Sequence, residues 1–183
     1  MRKETTVITG DLKILFPNFF TPDKYGKYSC TVLIPKSDTT TLNEFKEAKE
    51  LAIKNANLDP TKIKNDLLKD GDKSEHEGNH GHWILSVTAP GEGGKIDVRV
   101  LMDANNNTFR KATQADCGMA FVGRLCVNIY ASRKFNALSK QLQAVLITEP
   151  GSGYNKVDAA DAFVLGEEVK DDGVFADGFA SPF

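Results

Sequence analysis

"MAFVGRLCVNIYASRKFNALSKQLQAVLITE", residues 119–149, decides how this chain folds. Two runs rich in β-branched and aromatic residues, Met119–Phe135 and Gln141–Glu149, flank the turn-forming "NALSK", the pattern of two antiparallel strands. In the first run strand alternation puts Arg124, Cys126, Asn128 and Tyr130 on one face. A cation, an amide and a ring therefore share a surface, and Arg133, Lys134 and Phe135 follow at the hairpin tip with Lys140 just beyond.

Upstream, "KYSCTVLIPK" (Lys27–Lys36) has strand composition and closes at Pro35. The period then changes. Leu42, Phe45, Ala48, Ala52 and Ala56 recur at helical spacing, and Thr41 with Glu44 has the form of a capping box, which predicts a helix of about four turns. Asp59–His82 is polar and rich in turn formers, a long excursion between elements. "WILSVTA" (Trp83–Ala89), the turn "PGEGG" and "KIDVRVLMD" (Lys95–Asp103) predict a hairpin in which Ile96, Val98, Val100 and Met102 are buried. "ANNNTFRKATQADCG" reads as a further loop carrying Phe109, Arg110 and Lys111. About five strands with one main helix, inserted after the second strand, predict an all-β domain closed into a small twisted barrel, since closure removes the exposed edges of an open sheet.

Composition sets the frame. In 183 residues, 40% are hydrophobic and 26% charged, an ordinary globular balance. The expected division is one domain over 1–150 and an acidic, largely disordered tail over 151–183. The net charge of −2 hides an asymmetry: residues 150–183 carry seven acids against two lysines, which leaves the preceding body mildly basic. That contrast suggests a polyanionic partner, or a tail that occupies the same surface when the partner is absent. No apolar run approaches the roughly 18 residues of a membrane span, and "MRKETTVITGDLK" lacks the apolar stretch of a secretory signal, so a cytoplasmic protein is expected. Cys30, Cys117 and Cys126 match no zinc or redox spacing and are expected as reduced structural thiols.

A catalytic constellation is hard to find. His76, His80 and His82 with Glu77 could ligate zinc if a scaffold held them, which keeps a metal-dependent hydrolase open as an alternative. Their glycine-broken loop offers no helix or strand to fix that geometry, so a solvated loop accounts for them better. Phosphate-loop, nucleophile-elbow and dinucleotide signatures do not occur, and neither an enzymatic role nor a cofactor is expected. What stands out is the interleaving of cations and rings: Phe109, Arg110, Lys111, Arg124, Asn128, Tyr130, Arg133, Lys134, Phe135 and Lys140. Single-stranded nucleic acid is held by such pairing, a positive groove for phosphates and rings for bases. A scaffolding protein whose tail is an assembly peptide is the other alternative, and RNA in place of DNA stays open.

The order of these pieces, "GKYSCTVLIPK", a helix, a polar excursion, "GKIDVRVLMDANNNTFRK", "GRLCVNIYASRKFNALSKQLQAVLITE" and an acidic tail ending in phenylalanine, resembles phage single-stranded-DNA-binding proteins of the replisome type. That resemblance implies an OB-fold, no enzymatic activity, and a protein that coats single strands in phage replication and recombination in the host cytoplasm, often as a homodimer. It further implies a tail that contacts replication proteins such as the polymerase and helicase or primase and competes with DNA. Asp171, Asp172, Asp177, Phe179 and Phe183 carry that role by position.

Overall fold

In the computed structural model, residues 4–90 and 96–151 are described. In chain order the elements are β1 (Thr6–Ile8), β2 (Leu12–Asn18), β3 (Lys27–Pro35), α1 (Thr39–Asn55), β4 (Lys69–Asp70), β5 (His82–Pro90), β6 (Asp97–Asp103), β7 (Thr108–Lys111), α2 (Gln114–Cys117), β8 (Ala120–Ser132) and β9 (Ala137–Glu149). Strands β2, β3 and β5 form an antiparallel meander, β5 meets β9 in parallel, β9 pairs antiparallel with β8, and β8 returns to β2. Five strands thus close into a barrel with one main helix, an OB-fold.

Alternation along the strands fills the interior. Tyr28, Cys30 and Val32 of β3, Leu85 and Val87 of β5, and Leu125, Val127 and Ile129 of β8 all face the core. Helix α1 adds Phe45, Ala48, Ala52 and Ile53 to it. Its start differs from the expected capping box: Asp38 is the N-cap, its carboxylate accepting the Thr41 N–H at 3.1 Å. A carboxylate also complements the positive end of the helix dipole, which explains why the helix begins ahead of Thr41.

The structure corrects the expected hairpin over 83–103. Strands β5 and β6 run in the same direction, both parallel to β9, with Thr88 opposite Gln141 and Asp97–Val100 opposite Ala144–Ile147. The two segments therefore succeed one another along one edge of β9 and do not pair with each other; the "PGEGG" turn lies mostly outside the described residues. The hairpin partner of β6 is β7, within what reads in sequence as a loop. A register shift between Leu101 and Asp103 turns Met102 outward, where it is 60% exposed instead of buried. At the β8–β9 connection the turn is Arg133–Asn136, with Asn136 in the left-handed region (φ 47°), and "ALSK" already belongs to β9.

The excursion after α1 is ordered by short 3-10 turns and by Lys36, whose ammonium pairs with Asp70 and Asp72. Gly71 sits where an added Cβ would lie 2.1 Å from the Asn79 carbonyl oxygen, so only glycine allows that close passage.

None of the three cysteines forms a disulfide. Burial pushes Cys117 up to about 11 and raises Cys30 as well, whereas Cys126 is half-exposed on the outer face of β8. Because the thiolate is the nucleophile, native protein is expected to react with a disulfide reagent at Cys126 alone, and at three sites once unfolded. Immediate reaction of all three native thiols would contradict the packing.

Candidate nucleic-acid interface

Outer positions of β3, β5 and β9 form a continuous floor. Ser29 stands opposite Thr88 and Thr31 opposite Ser86, and Thr88 in turn faces Gln141. Each alternates with a buried residue, so these hydroxyl and amide side chains point away from the core. Short polar side chains keep the floor shallow and leave room for a planar ligand above it.

Exposed rings border the floor at both ends. Toward the β8–β9 turn stand Tyr130, opposite Ser139, and Phe135, respectively 46% and 62% exposed, with the Lys134 ammonium 5.4 Å from the Phe135 ring centre. This tip is braced: the Arg133 guanidinium donates to the Ala56 carbonyl at the end of α1, and Asn65 exchanges two 2.8 Å hydrogen bonds with the Leu138 backbone. At the opposite end the last residues of β2 present Phe16, and the β2–β3 connection presents Phe20 and Tyr25. Asp23 orders this connection by accepting from the backbone of Tyr25 and Lys27, and Lys24 lies 5.0 Å from the Tyr25 ring centre. The sequence reading missed these rings. Their signal was present in "FPNFFTPDKYGK", where aromatics and lysines crowd between prolines.

The remaining expected residues occupy a second place. Lys111 of β7 faces Arg99 of β6, Arg99 faces Leu146 of β9, and Leu146 faces Arg124 of β8, which sets three cations in one row across four strands. Beside that row a groove of about 420 Å³ is lined by Phe109, Leu101, Cys126 and Ile8, and the Arg99 guanidinium lies 4.8 Å from the Phe109 ring centre. Arg99 was not expected; its alternation with Val98 and Val100 had suggested only a wet face. Arg124 is held by a two-pronged pair to Asp11 at 2.9 and 3.0 Å, and the same contact holds the Asp11 carboxyl below its usual range.

Three expected residues are committed elsewhere. Arg124, Cys126, Asn128 and Tyr130 do alternate outward on β8, but Asn128 is only 4% exposed, and its Oδ1 accepts from the hydroxyls of Thr5 and Thr6. It fastens the amino-terminal strand from a buried position. Arg110 turns to the other side of β7 from Phe109 and Lys111 and grips Asp116 of α2, driving that carboxyl strongly down. Lys140 is half-buried, donates to the Leu67 carbonyl, and has its pKa lowered by burial and by neighbouring Lys69.

His80 and His82 each contact a backbone carbonyl, of Ser74 and His80 respectively. Among the described residues no group of three or more His, Cys, Asp or Glu side chains is placed to hold a metal ion, and no helix is long and apolar enough to cross a membrane. Asp171, Asp172, Asp177, Phe179 and Phe183 lie outside the described residues.

A family model described as "Enterobacter phage Enc34, ssDNA-binding protein" matches residues 5–174. The chain belongs to that family. Among solved structures, the single-stranded DNA-binding protein from bacteriophage Enc34 in complex with ssDNA superposes with a TM-score of 0.65 at 18% identity, covering 83% of this chain and 90% of that one. Its C-terminal truncation gives the same figures. Gp2.5, a single-stranded DNA-binding protein encoded by bacteriophage T7, gives 0.52 at 14% identity over 97% of this chain and 98% of its own. At these identities the superpositions establish the OB-fold. No curated protein sequence matches the chain.

Proposed function

We propose that this phage protein binds single-stranded DNA with little sequence preference, along the β3–β5–β9 floor. The observation that carries the reading is the hydroxyl-lined floor with exposed ring and lysine pairs at both ends, Tyr130, Lys134 and Phe135 at one and Lys24 and Tyr25 at the other. Rings take bases by stacking, which every base allows, and ammonium groups take phosphates. Phe109, Lys111 and Arg124 extend the contact over the neighbouring face; Asn128, Arg110 and Lys140 support it by holding the strands. The family description, ssDNA-binding protein, agrees with this chemistry.

On the same reading, residues 1–150 are the binding domain and 151–183 the acidic tail, through which replication proteins are recruited and DNA is displaced. The protein acts as a homodimer in the host cytoplasm during replication and recombination, with no catalytic step of its own.

Fluorescence anisotropy with labelled oligothymidine tests both parts. Each phosphate contact on a single strand contributes about −0.7 to the slope of log K against log salt, so affinity is expected to fall several-fold when salt is raised fourfold. Removing residues 167–183 deletes five acids and one lysine and is expected to tighten binding. Absence of binding, or binding indifferent to salt, would sink the DNA reading; unchanged affinity on truncation would remove only the competition.

A further inference from the structure

We propose that the cleft between α1 and residues 66–74 is a second anchoring site for the same single strand, one that takes its phosphates and a base as it leaves the barrel floor. This rests on the DNA-binding reading above. The cleft has a volume of about 820 Å³. Lys46 and Lys49 line it from α1, Lys69 and Lys73 from the opposite wall, and Trp83 and Ile84 from β5. Leu42, Lys46 and Lys49 stand at i, i+4 and i+7, so one helix face aims an apolar patch and two cations into the space.

Two things make the cleft electropositive. Its two carboxylates are Asp66 and Asp70, and Asp70 shares the Lys36 ammonium, at 2.6 Å, with Asp72, so the four lysines outnumber the carboxylates two to one. Among the described residues none of those four lysines has an ion-pair partner. Lys69 also crowds the half-buried Lys140, an arrangement of like charges that an anion would relieve.

Continuity supplies the occupant. Ile84 lies on the same strand as Ser86 and Thr88, two and four residues before them, so it shares their outward face and the cleft opens where the floor ends. A strand crossing the floor toward the β8–β9 turn runs into it. Trp83, already 5.2 Å from the Lys36 ammonium, supplies a ring there.

The test compares wild type, the cleft variant Lys46→Glu/Lys73→Glu, and the control Lys54→Glu/Lys62→Glu, whose lysines are exposed and lie outside the cleft. All three are checked by thermal melting and titrated with oligothymidines of about 6 and about 16 nucleotides, the span of OB-fold site sizes. Wild type and control are expected to gain affinity with length and to show a longer-strand-specific change in the fluorescence of Trp83, the one tryptophan. The cleft variant is expected to lose that gain at least tenfold, with its salt slope smaller by about 1.4, two contacts' worth. Equal losses in cleft variant and control, or a retained gain, overturn the proposal while leaving the DNA reading intact. Binding of neither oligomer by wild type overturns both. A peptide of residues 167–183 that binds wild type but not the cleft variant, with oligonucleotide affinity unchanged, makes the cleft a peptide site and likewise overturns it.

Discussion

Phe45→Ala is expected to lower the unfolding free energy by about 3–5 kcal/mol, the range for emptying a fully buried phenylalanine site. Phe45 is 1% exposed, and the other buried residues of α1 are Thr41, Ala48, Ala52 and Ile53, so this ring is the one large aromatic group with which the helix enters the core. The narrow apolar stripe read from the sequence makes the helix dependent on it, because a helix of 17 residues owes most of its stability to docking. Urea or thermal unfolding of the variant measures the effect. A loss below about 1 kcal/mol would mean that α1 is held by its polar contacts, among them the Arg133 bond to the Ala56 carbonyl.

That dependence was legible because it is local: period, stripe and composition all lie within 20 residues. The same holds for β3, whose predicted end at Pro35 is where the strand stops, and for the long β8–β9 pair. What escaped is set by distant partners or by single backbone angles. Strand β2 was not recognised because Phe16, at φ 51°, and Pro17 break the pattern within it. Strand β6 carries a clear alternation, yet nothing nearby in sequence says that its neighbour is β9, parallel and more than 40 residues away. Pairing it with β5 followed from treating a glycine-rich link as a tight turn.

The candidate site divides along the same line. Strand alternation pointed to Tyr130, the hairpin tip to Phe135 and an expected loop to Phe109, and all three stand in solvent. Which cations have carboxylate partners was invisible: Asp11 reaches Arg124 across 113 residues, and Asp116 reaches Arg110 only because α2 folds back beside β7. Asn128 looked like a ligand for want of any sign that Thr5 and Thr6 would cover it. The free lysines of the α1 cleft went unnoticed for the converse reason. They are scattered over 28 residues of helix and loop and become neighbours only in the fold.

The β8–β9 tip is where loss of side chains is expected to hurt binding most. Tyr130→Ala with Phe135→Ala removes two stacking rings, each worth roughly 1–3 kcal/mol, so affinity for oligothymidine is expected to fall by about 30-fold or more. Both rings are exposed, which separates binding from folding: melting of the double variant is expected to stay near wild type, as for most surface substitutions. Lys134→Ala is the informative companion. Its ammonium sits over the Phe135 ring and within reach of phosphate, so its removal is expected to flatten the salt dependence while costing much less affinity. Salt slope and affinity thus report different groups at one tip. If the double aromatic variant binds within threefold of wild type while Lys134→Ala still lowers the salt slope, the strand touches the tip through its backbone alone. The bases would then stack at the other end of the floor, on Tyr25 and Phe20, and Tyr25→Ala would carry the loss instead.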